Sequence, residues 1–504
     1  MTSQRERHDE VMAKSLKQKT VSGGLWSIIH KFALLLLGFV SGIVLARLLT
    51  PHDYGVIGML TIFLAISNTF IDGGFGSALI QKKRPTDVDY STILYWNIGL
   101  SIFLYVILFF SAPYIAKFYD LPILSDVLRV QGLVLILNAA RIVQRNQLRK
   151  RLEFKKVAII NLSSYAVALC VTIFLAWKGW GVWALVAQQL LIGLLCTLLY
   201  WILVQWRPVL VFSMKSFKEL FSFGGFVLLS NLFNTLCNNI QGLLVGKAYN
   251  SSTLGLYSKA RGLESYASTF ISNVLDQVSY PVFSEAQDDK VRLVDIMKKI
   301  TEMSAFFTFP FMSLLILIAQ PLFLFLYSER WLASVPYFQL LCLAGIAMCL
   351  QSVNYYAVAA IGKSKVLFKW TFIKRSLGLV LIVLGLWLYG IYGLLVGSVL
   401  SSWLIYGINA GIASKYVGYG LKQQIIDLWP ILVISLIAFL TAYITSSCFE
   451  YGVYINGLIR LVVFIAVYLL GSIIFRLNAY TIAKETIVEI AKRFSHKAIV
   501  NRNQ

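Results

Sequence analysis

The sequence predicts an all-α integral membrane protein of about fourteen transmembrane helices, arranged as two six-helix lobes followed by a C-terminal pair. Three observations carry this reading. Of 504 residues, 58% are hydrophobic and only 13% are charged, with a mean hydropathy of +0.73, whereas a soluble domain carries roughly a quarter charged residues. Lys and Arg collect on every second connector between apolar stretches. The first two helices also recur, residue against residue, 200 positions later.

A spanning helix takes about 20 mostly apolar residues. Stretches that meet this lie at 24–46, 56–80, 91–113, 126–146, 157–177 and 181–204. A second group lies at 222–246, 254–282, 301–327, 334–360, 366–388 and 391–413, and a final pair at 428–447 and 454–475. Arg129 interrupts the fourth stretch, and Lys259, Arg261, Glu264 and Asp276 interrupt the eighth. Residues 1–20 are polar and of mixed charge, unlike a cleavable signal peptide, so the first helix is expected to act as its own insertion signal.

Charge then orients the chain. With a cytoplasmic N-terminus, the cytoplasmic connectors and tails hold 35 Lys and Arg, against 5 on the opposite connectors (Arg47, Lys117, Lys178, Lys247 and Arg330). Positive residues are retained on the cytoplasmic side, so both termini are placed there and the number of crossings is even. The organisation that follows is an N-tail (1–20), an N-lobe (21–205), a C-lobe (206–415), two further helices (416–476) and a C-tail (477–504).

The repeat supports two lobes. At an offset of 200, Gly42 meets Gly242, Arg47 meets Lys247, Gly55 meets Gly255, and Thr69-Phe70-Ile71 meets Thr269-Phe270-Ile271. A separation of six helices makes this a parallel repeat about an axis along the membrane normal. A two-lobed body with a central cavity is a transporter layout.

Several classes are disfavoured. The excess of 45 Lys+Arg over 23 Asp+Glu sits in short connectors, where membrane topology requires it, and not on a soluble nucleic-acid-binding surface. The six cysteines all fall inside apolar runs with no CxxC pair, and the four histidines are scattered, so neither a disulfide frame nor a metal site is expected. Residues 357–364 resemble a phosphate loop but lack its first glycine and follow an apolar helix, which argues against a nucleotide. No catalytic motif is present, the connectors on the outer side are short, and no enzyme activity or cofactor is expected.

Ionisable side chains at membrane depth are the candidate functional residues, since each costs about 2.5 kcal/mol or more at a lipid-exposed helix centre. Lys31, Arg129, Lys259 and Arg261 are candidates for a cationic cavity, with snorkelling or structural pairing as the plain alternative. Arg261 and Glu264 have the spacing of an i,i+3 pair, and Arg460 lies outside the two lobes and reads as structural. Asp72, ahead of Gly73, Gly74 and Gly76, reads either as a buried carboxylate able to take up a proton or as the cap of a helix hinge. With Glu264 and Asp276 it forms the set of candidates for ion coupling. On the seventh helix, Asn231, Asn234, Asn238 and Gln241 form one polar stripe, suited to sugar hydroxyls or to helix–helix bonding.

The runs Gly23-Gly24-Leu25-Trp26-Ser27 and Val44-Leu45-Ala46-Arg47-Leu48-Leu49-Thr50-Pro51-His52-Asp53-Tyr54-Gly55 resemble the polysaccharide transporter family. So do Asp72-Gly73-Gly74-Phe75-Gly76-Ser77, Thr92-Ile93-Leu94-Tyr95-Trp96-Asn97, Tyr257-Ser258-Lys259-Ala260 and Pro281-Val282-Phe283. The resemblance covers residues 20–415 and is nearest the colanic-acid exporter subgroup of Wzx-type flippases, in the multidrug/oligosaccharidyl-lipid/polysaccharide superfamily. It implies a fourteen-helix V-shaped body that alternates between inward- and outward-facing states in the bacterial inner membrane. Its cargo would be an undecaprenyl-pyrophosphate-linked oligosaccharide, moved from the cytoplasmic to the periplasmic leaflet, with coupling to an ion gradient and a polysaccharide polymerase as a partner. It also implies cationic cavity residues on the first and eighth helices, which Lys31, Lys259 and Arg261 match. The rival readings are a multidrug/cation antiporter of the same superfamily and a membrane glycan polymerase or ligase. An antiporter favours an acidic cavity, and a polymerase a large external loop.

Overall fold

The computed structural model describes the backbone of residues 2–448 and 451–485, with side chains from residue 22 onward apart from 223, 274 and 276–278. Every regular element among the described residues is helical. The chain divides into two compact units, Met1–Ser258 and Lys259–Gln504.

The first unit begins with α1 (Thr2–Leu48), α2 (Pro51–Asp72), α3 (Phe75–Gln81) and α4 (Asp87–Phe118). It continues with α5 (Ile123–Gln131), α6 (Leu133–Lys150), α7 (Phe154–Trp177), α8 (Val182–Leu203), α9 (Met214–Ala248) and the first turns of α10 (Ser251–Glu285). The helix starts are written in the sequence. Thr50 and Thr86 each accept from a backbone N–H three residues on, while Asp53 and Asp89 reach back to the cap, a reciprocal capping box at both sites. Helix α2 stops because Gly73 and Gly74 take φ of +54° and +69°, a left-handed backbone that glycine adopts without strain. Within this unit α1 packs on α7, α7 on α8, α4 on α6, and α2 on α9. One core gathers Leu45 of α1, Leu49 just beyond it, Leu169 of α7, and Ala184 and Leu185 of α8.

The connector after α3 is pinned by charge. Lys82 Nζ lies 3.1 Å from Asp89 and 3.0 Å from Glu219. Burial pulls the Lys82 ammonium pKa down, but the hydrogen bonds to Glu219 and Asp89 outweigh it and hold the group above its ordinary value.

The second unit holds the rest of α10, then α11 (Lys290–Leu317), α12 (Ala319–Leu326), a 3₁₀ turn (Glu329–Ser334) and α13 (Val335–Ala360). It ends with α14 (Ser364–Tyr416), α15 (Leu421–Ser447) and α16 (Val453–Ile474). Helices α13 and α14 pack together, α15 packs on α16, and α11 packs on α13 and α15. The 53-residue run of α14 would extend about 80 Å if straight, far beyond a bilayer. It is broken at Tyr389 and Gly390, where the backbone leaves the helical region. The chain folds back there, with Gly385 against Gly393, Leu381 against Gly397 and Gly378 against Ser401. The break lies between the predicted stretches 366–388 and 391–413.

Among the described residues, eleven helices are long and apolar enough to cross a membrane, or twelve when the bent α9 is included. That count takes α14 as one helix. It does not include α10.

Candidate functional site

A concentration of basic side chains lies in the first unit, along α6. Arg141, Arg145 and Arg149 occupy successive turns, and a step of four residues drifts only about 40° around a helix, so the three form one stripe. Arg141 Nη2 donates to Asn138 Oδ1 at 2.6 Å, and Asn138 Nδ2 donates to Asn68 Oδ1 on α2 at 2.9 Å. Arg145 Nη2 lies 3.6 Å from Asp72 Oδ1 at the end of α2, with the two side chains 29% and 47% exposed. Arg149, exposed, is within Coulombic reach of Arg145 and Asp72. His30 on α1 lies near Arg149, and its Nε2 is 3.2 Å from Asn161 Nδ2 on α7. Asn161 Oδ1 accepts from the Tyr200 hydroxyl of α8 at 3.5 Å.

Five helices therefore converge on a basic ladder. Like charges at i,i+4 each cost a helix a few tenths of a kcal/mol, and Asp72 is the carboxylate that faces them. Among the described residues, three guanidinium groups against the carboxylate of Asp72 leave two net positive charges. Arg forks suit phosphate oxygens, which they bind bidentately. The ladder can hold a dianionic phosphate group, and its i,i+4,i+8 arginine spacing was visible in the sequence. The sequence reading instead assigned these arginines to a cytoplasmic connector, because they also satisfy the topology bias.

The predicted residues fall in different settings. Lys31 is exposed on α1, one position after His30. Arg129 closes α5, its Nε donating to the Phe109 carbonyl at 3.4 Å and its guanidinium 4.7 Å from the Phe109 ring centroid. Asp72 is half-exposed and paired with Arg145, so the expectation of a buried carboxylate is corrected: the chain turns at Gly73 and leaves its side chain facing α6. Asn231 and Asn238 are exposed on α9, Asn234 is half-buried, and Gln241 Oε1 accepts from the Tyr257 hydroxyl at 2.5 Å.

In the second unit, Lys259 is 7% exposed and sits inside an aromatic box, 4.6 Å from the Tyr327 ring centroid and 5.5 Å from that of Trp331. Glu264 is buried, bonded to the Ser268 hydroxyl one turn on, and within Coulombic reach of the half-buried Arg261. The Asp276 side chain lies outside the described residues. Arg460 donates to Ser446 Oγ at 2.8 Å and to the Leu317 carbonyl at 3.1 Å, as a structural residue would. The same unit contains a cavity of about 570 Å³ lined by Phe309, Leu340, Trp403, Leu436 and Phe439. It carries no charged side chain, so it offers nothing to an anionic head group.

Comparison with known proteins places this chain among polysaccharide biosynthesis proteins. A family described as polysaccharide biosynthesis protein matches residues 44–336, more than half the chain. The lipopolysaccharide biosynthesis protein WzxC of Escherichia coli is 25% identical over 85% of this chain and 88% of its own length. The teichuronic acid biosynthesis protein TuaB of Bacillus subtilis is 26% identical over 71% of this chain and 74% of its own. The lipid II flippase MurJ, in an inward closed conformation, superposes with a TM-score of 0.71 at 16% identity, covering 90% of this chain and 99% of its own. That last likeness is one of fold.

Proposed function

The chain belongs to the family of polysaccharide biosynthesis proteins, and from this premise we propose that it is a flippase for a lipid-linked acidic or pyrophosphate-bearing oligosaccharide. The cargo passes from the cytoplasmic to the outer leaflet of the bacterial inner membrane by alternating access, driven by an ion gradient. The observation that carries the reading is the α6 ladder: among the described residues, Arg141, Arg145 and Arg149 face the carboxylate of Asp72. A diphosphate linked at both ends carries two negative charges, which match the two left over on the ladder. The ladder lies toward the basic-connector end of α6, the side from which a cytoplasmic precursor arrives.

The finer architecture belongs to the same proposal. Counting α9 and α10 as one crossing each and α14 as two gives fourteen crossings with both termini cytoplasmic, grouped as lobes 21–205 and 206–415 and a final pair. In the cationic set, Lys31 is assigned to the cargo beside His30, and Arg261 is retained as a second contact. Arg129 and Lys259, each held against aromatic rings, are assigned to packing. Asp72 and Glu264 are the candidate ion-coupling carboxylates, and the exposed Asn231 and Asn238 are suited to sugar hydroxyls. A polysaccharide polymerase is the expected functional partner. A drug/cation antiporter would need an acidic site, which the arginine ladder is not.

The test is the lipid-linked oligosaccharide content of a deletion strain. The expected result is cytoplasmic-side accumulation of polyprenyl-pyrophosphate-linked repeat units, with loss of surface polymer that the intact gene restores. Normal surface glycan together with raised drug sensitivity would replace the flippase by the antiporter.

A further inference from the structure

The repeat at an offset of 200 has a physical counterpart in the first unit. Helices α2 and α10 begin after the corresponding connectors, at Pro51 and Ser251, and they cross within their first two turns. A Cβ built on Gly55 would fall 1.7 Å from the Ser251 carbonyl oxygen, and one built on Gly255 would fall 1.8 Å from the Pro51 carbonyl oxygen. Exchanging each residue for its equivalent 200 positions away, Gly55 for Gly255 and Ser251 for Pro51, turns one contact into the other. This is the reciprocity of a twofold contact, here between two repeats in one chain. The Ser251 hydroxyl and His52 Nδ1 lie 2.6 Å apart and add a hydrogen bond across the crossing. Leu254, wholly buried, lies just behind it against Gly58 and Gly246.

The crossing stands at the opposite end of α2 from the ladder. Gly55 and Asp72 are 17 residues apart on one helix, about 25 Å at 1.5 Å per residue. The connectors before α2 and α10 carry only Arg47 and Lys247, so the crossing faces the outer side, while Asp72 and Arg145 sit toward the basic side. On the flippase reading, a cargo bound at the ladder would have to pass the outer end of α2 to reach the outer leaflet, and there the backbones of α2 and α10 approach closely enough to leave no room for a side chain between them.

We propose that the Gly55–Gly255 crossing is the outer latch of the transport path, shut in this structure and required to part on each transport cycle. Glycine at both positions lets two backbones close without a gap. The backbone contact and the His52–Ser251 hydrogen bond hold it reversibly. The proposal rests on the flippase reading for its purpose, and its test separates the two.

In a cysteine-free background, His52→Cys and Ser251→Cys are joined by oxidation, and surface export is measured before oxidation, after it, and after reduction. The expected result is a loss of about tenfold on oxidation, reversed by reductant. Full export with the crosslink in place overturns the latch. Absence of export in the reduced protein, with accumulation of no lipid-linked precursor, overturns the flippase reading instead. A second measurement does not depend on export. Leu254→Cys is treated from outside with a membrane-impermeant thiol reagent, with and without Gly55→Ala. The added methyl pries the crossing open, so labelling rises about tenfold; equal labelling in the two proteins overturns the latch whatever the cargo.

Discussion

Asp72 and Arg145 form a weak ion pair at the proposed cargo site. Both side chains are partly exposed and 3.6 Å apart, a geometry in which an ion pair contributes about 0.2–1 kcal/mol. A hydrogen bond from a guanidinium to a phosphate oxygen contributes about 1.5–3 kcal/mol, so an arriving pyrophosphate displaces the carboxylate with little cost. Arg145→Gln is therefore expected to weaken undecaprenyl pyrophosphate binding at least about tenfold. Asp72→Asn removes the competitor and tightens binding by about two- to fivefold. Both variants should insert and fold, because neither group is a buried structural partner. Titrating the purified protein in lipid nanodiscs checks both directions, and a loss of binding in both variants would mean that the pair supports the fold and not the ligand.

The break between α2 and α3 puts Asp72 where it can do this. Had α2 run on in regular helix, residues 73 and 74 would have carried the chain away from α9. Instead their left-handed backbone turns it, and Gly74 comes so close to α9 that a Cβ would lie 2.4 Å from the Gly224 carbonyl oxygen. Gly74→Ala therefore meets both a strained φ and a backbone clash, a combination worth about 1–3 kcal/mol or more. Gly99→Ala, at a helical site with nothing within 4 Å, should be neutral or slightly stabilising. Thermal unfolding in detergent, followed by loss of monodisperse protein, should separate the two variants. If they melt together, the break is not required for stability. The glycines and the aspartate were legible in the sequence as a hinge, but the Arg145 partner was not. Local spacing shows where a helix can stop, and only the packing of α6 on α2 shows what the last side chain meets. The same limit applies to Lys259: a cation in an apolar helix reads as cavity lining until the rings of Tyr327 and Trp331, more than 60 residues away, are seen to enclose it.

At the scale of the whole molecule, charge and length constrain each other, which is why the helical organisation was largely readable before any packing was known. Lys363 to Arg375 open α14 with five cations, Lys415 stands in its last turn, and Lys422 follows just beyond it. Both ends are basic, so the positive-inside bias puts both on one face of the membrane, and a single straight crossing cannot do that. The break at Tyr389 and Gly390 supplies the return, and the exposed Trp387, Leu388 and Tyr389 form its tip, a composition suited to a membrane interface. The repeat showed which segments correspond but not that Gly55 and Gly255 come together within the first unit, because equivalence of sequence implies equivalence of structure and not contact. Topology mapping tests the count where it is most exposed to error. Reporters inserted after Lys363 and Gly418 should both be cytoplasmic, with one after Gly390 external. If α14 crossed once, the reporter at Gly418 would move outside and every later connector would invert, placing the five Lys and Arg of the C-tail on the outer face against the bias that orients the rest of the chain.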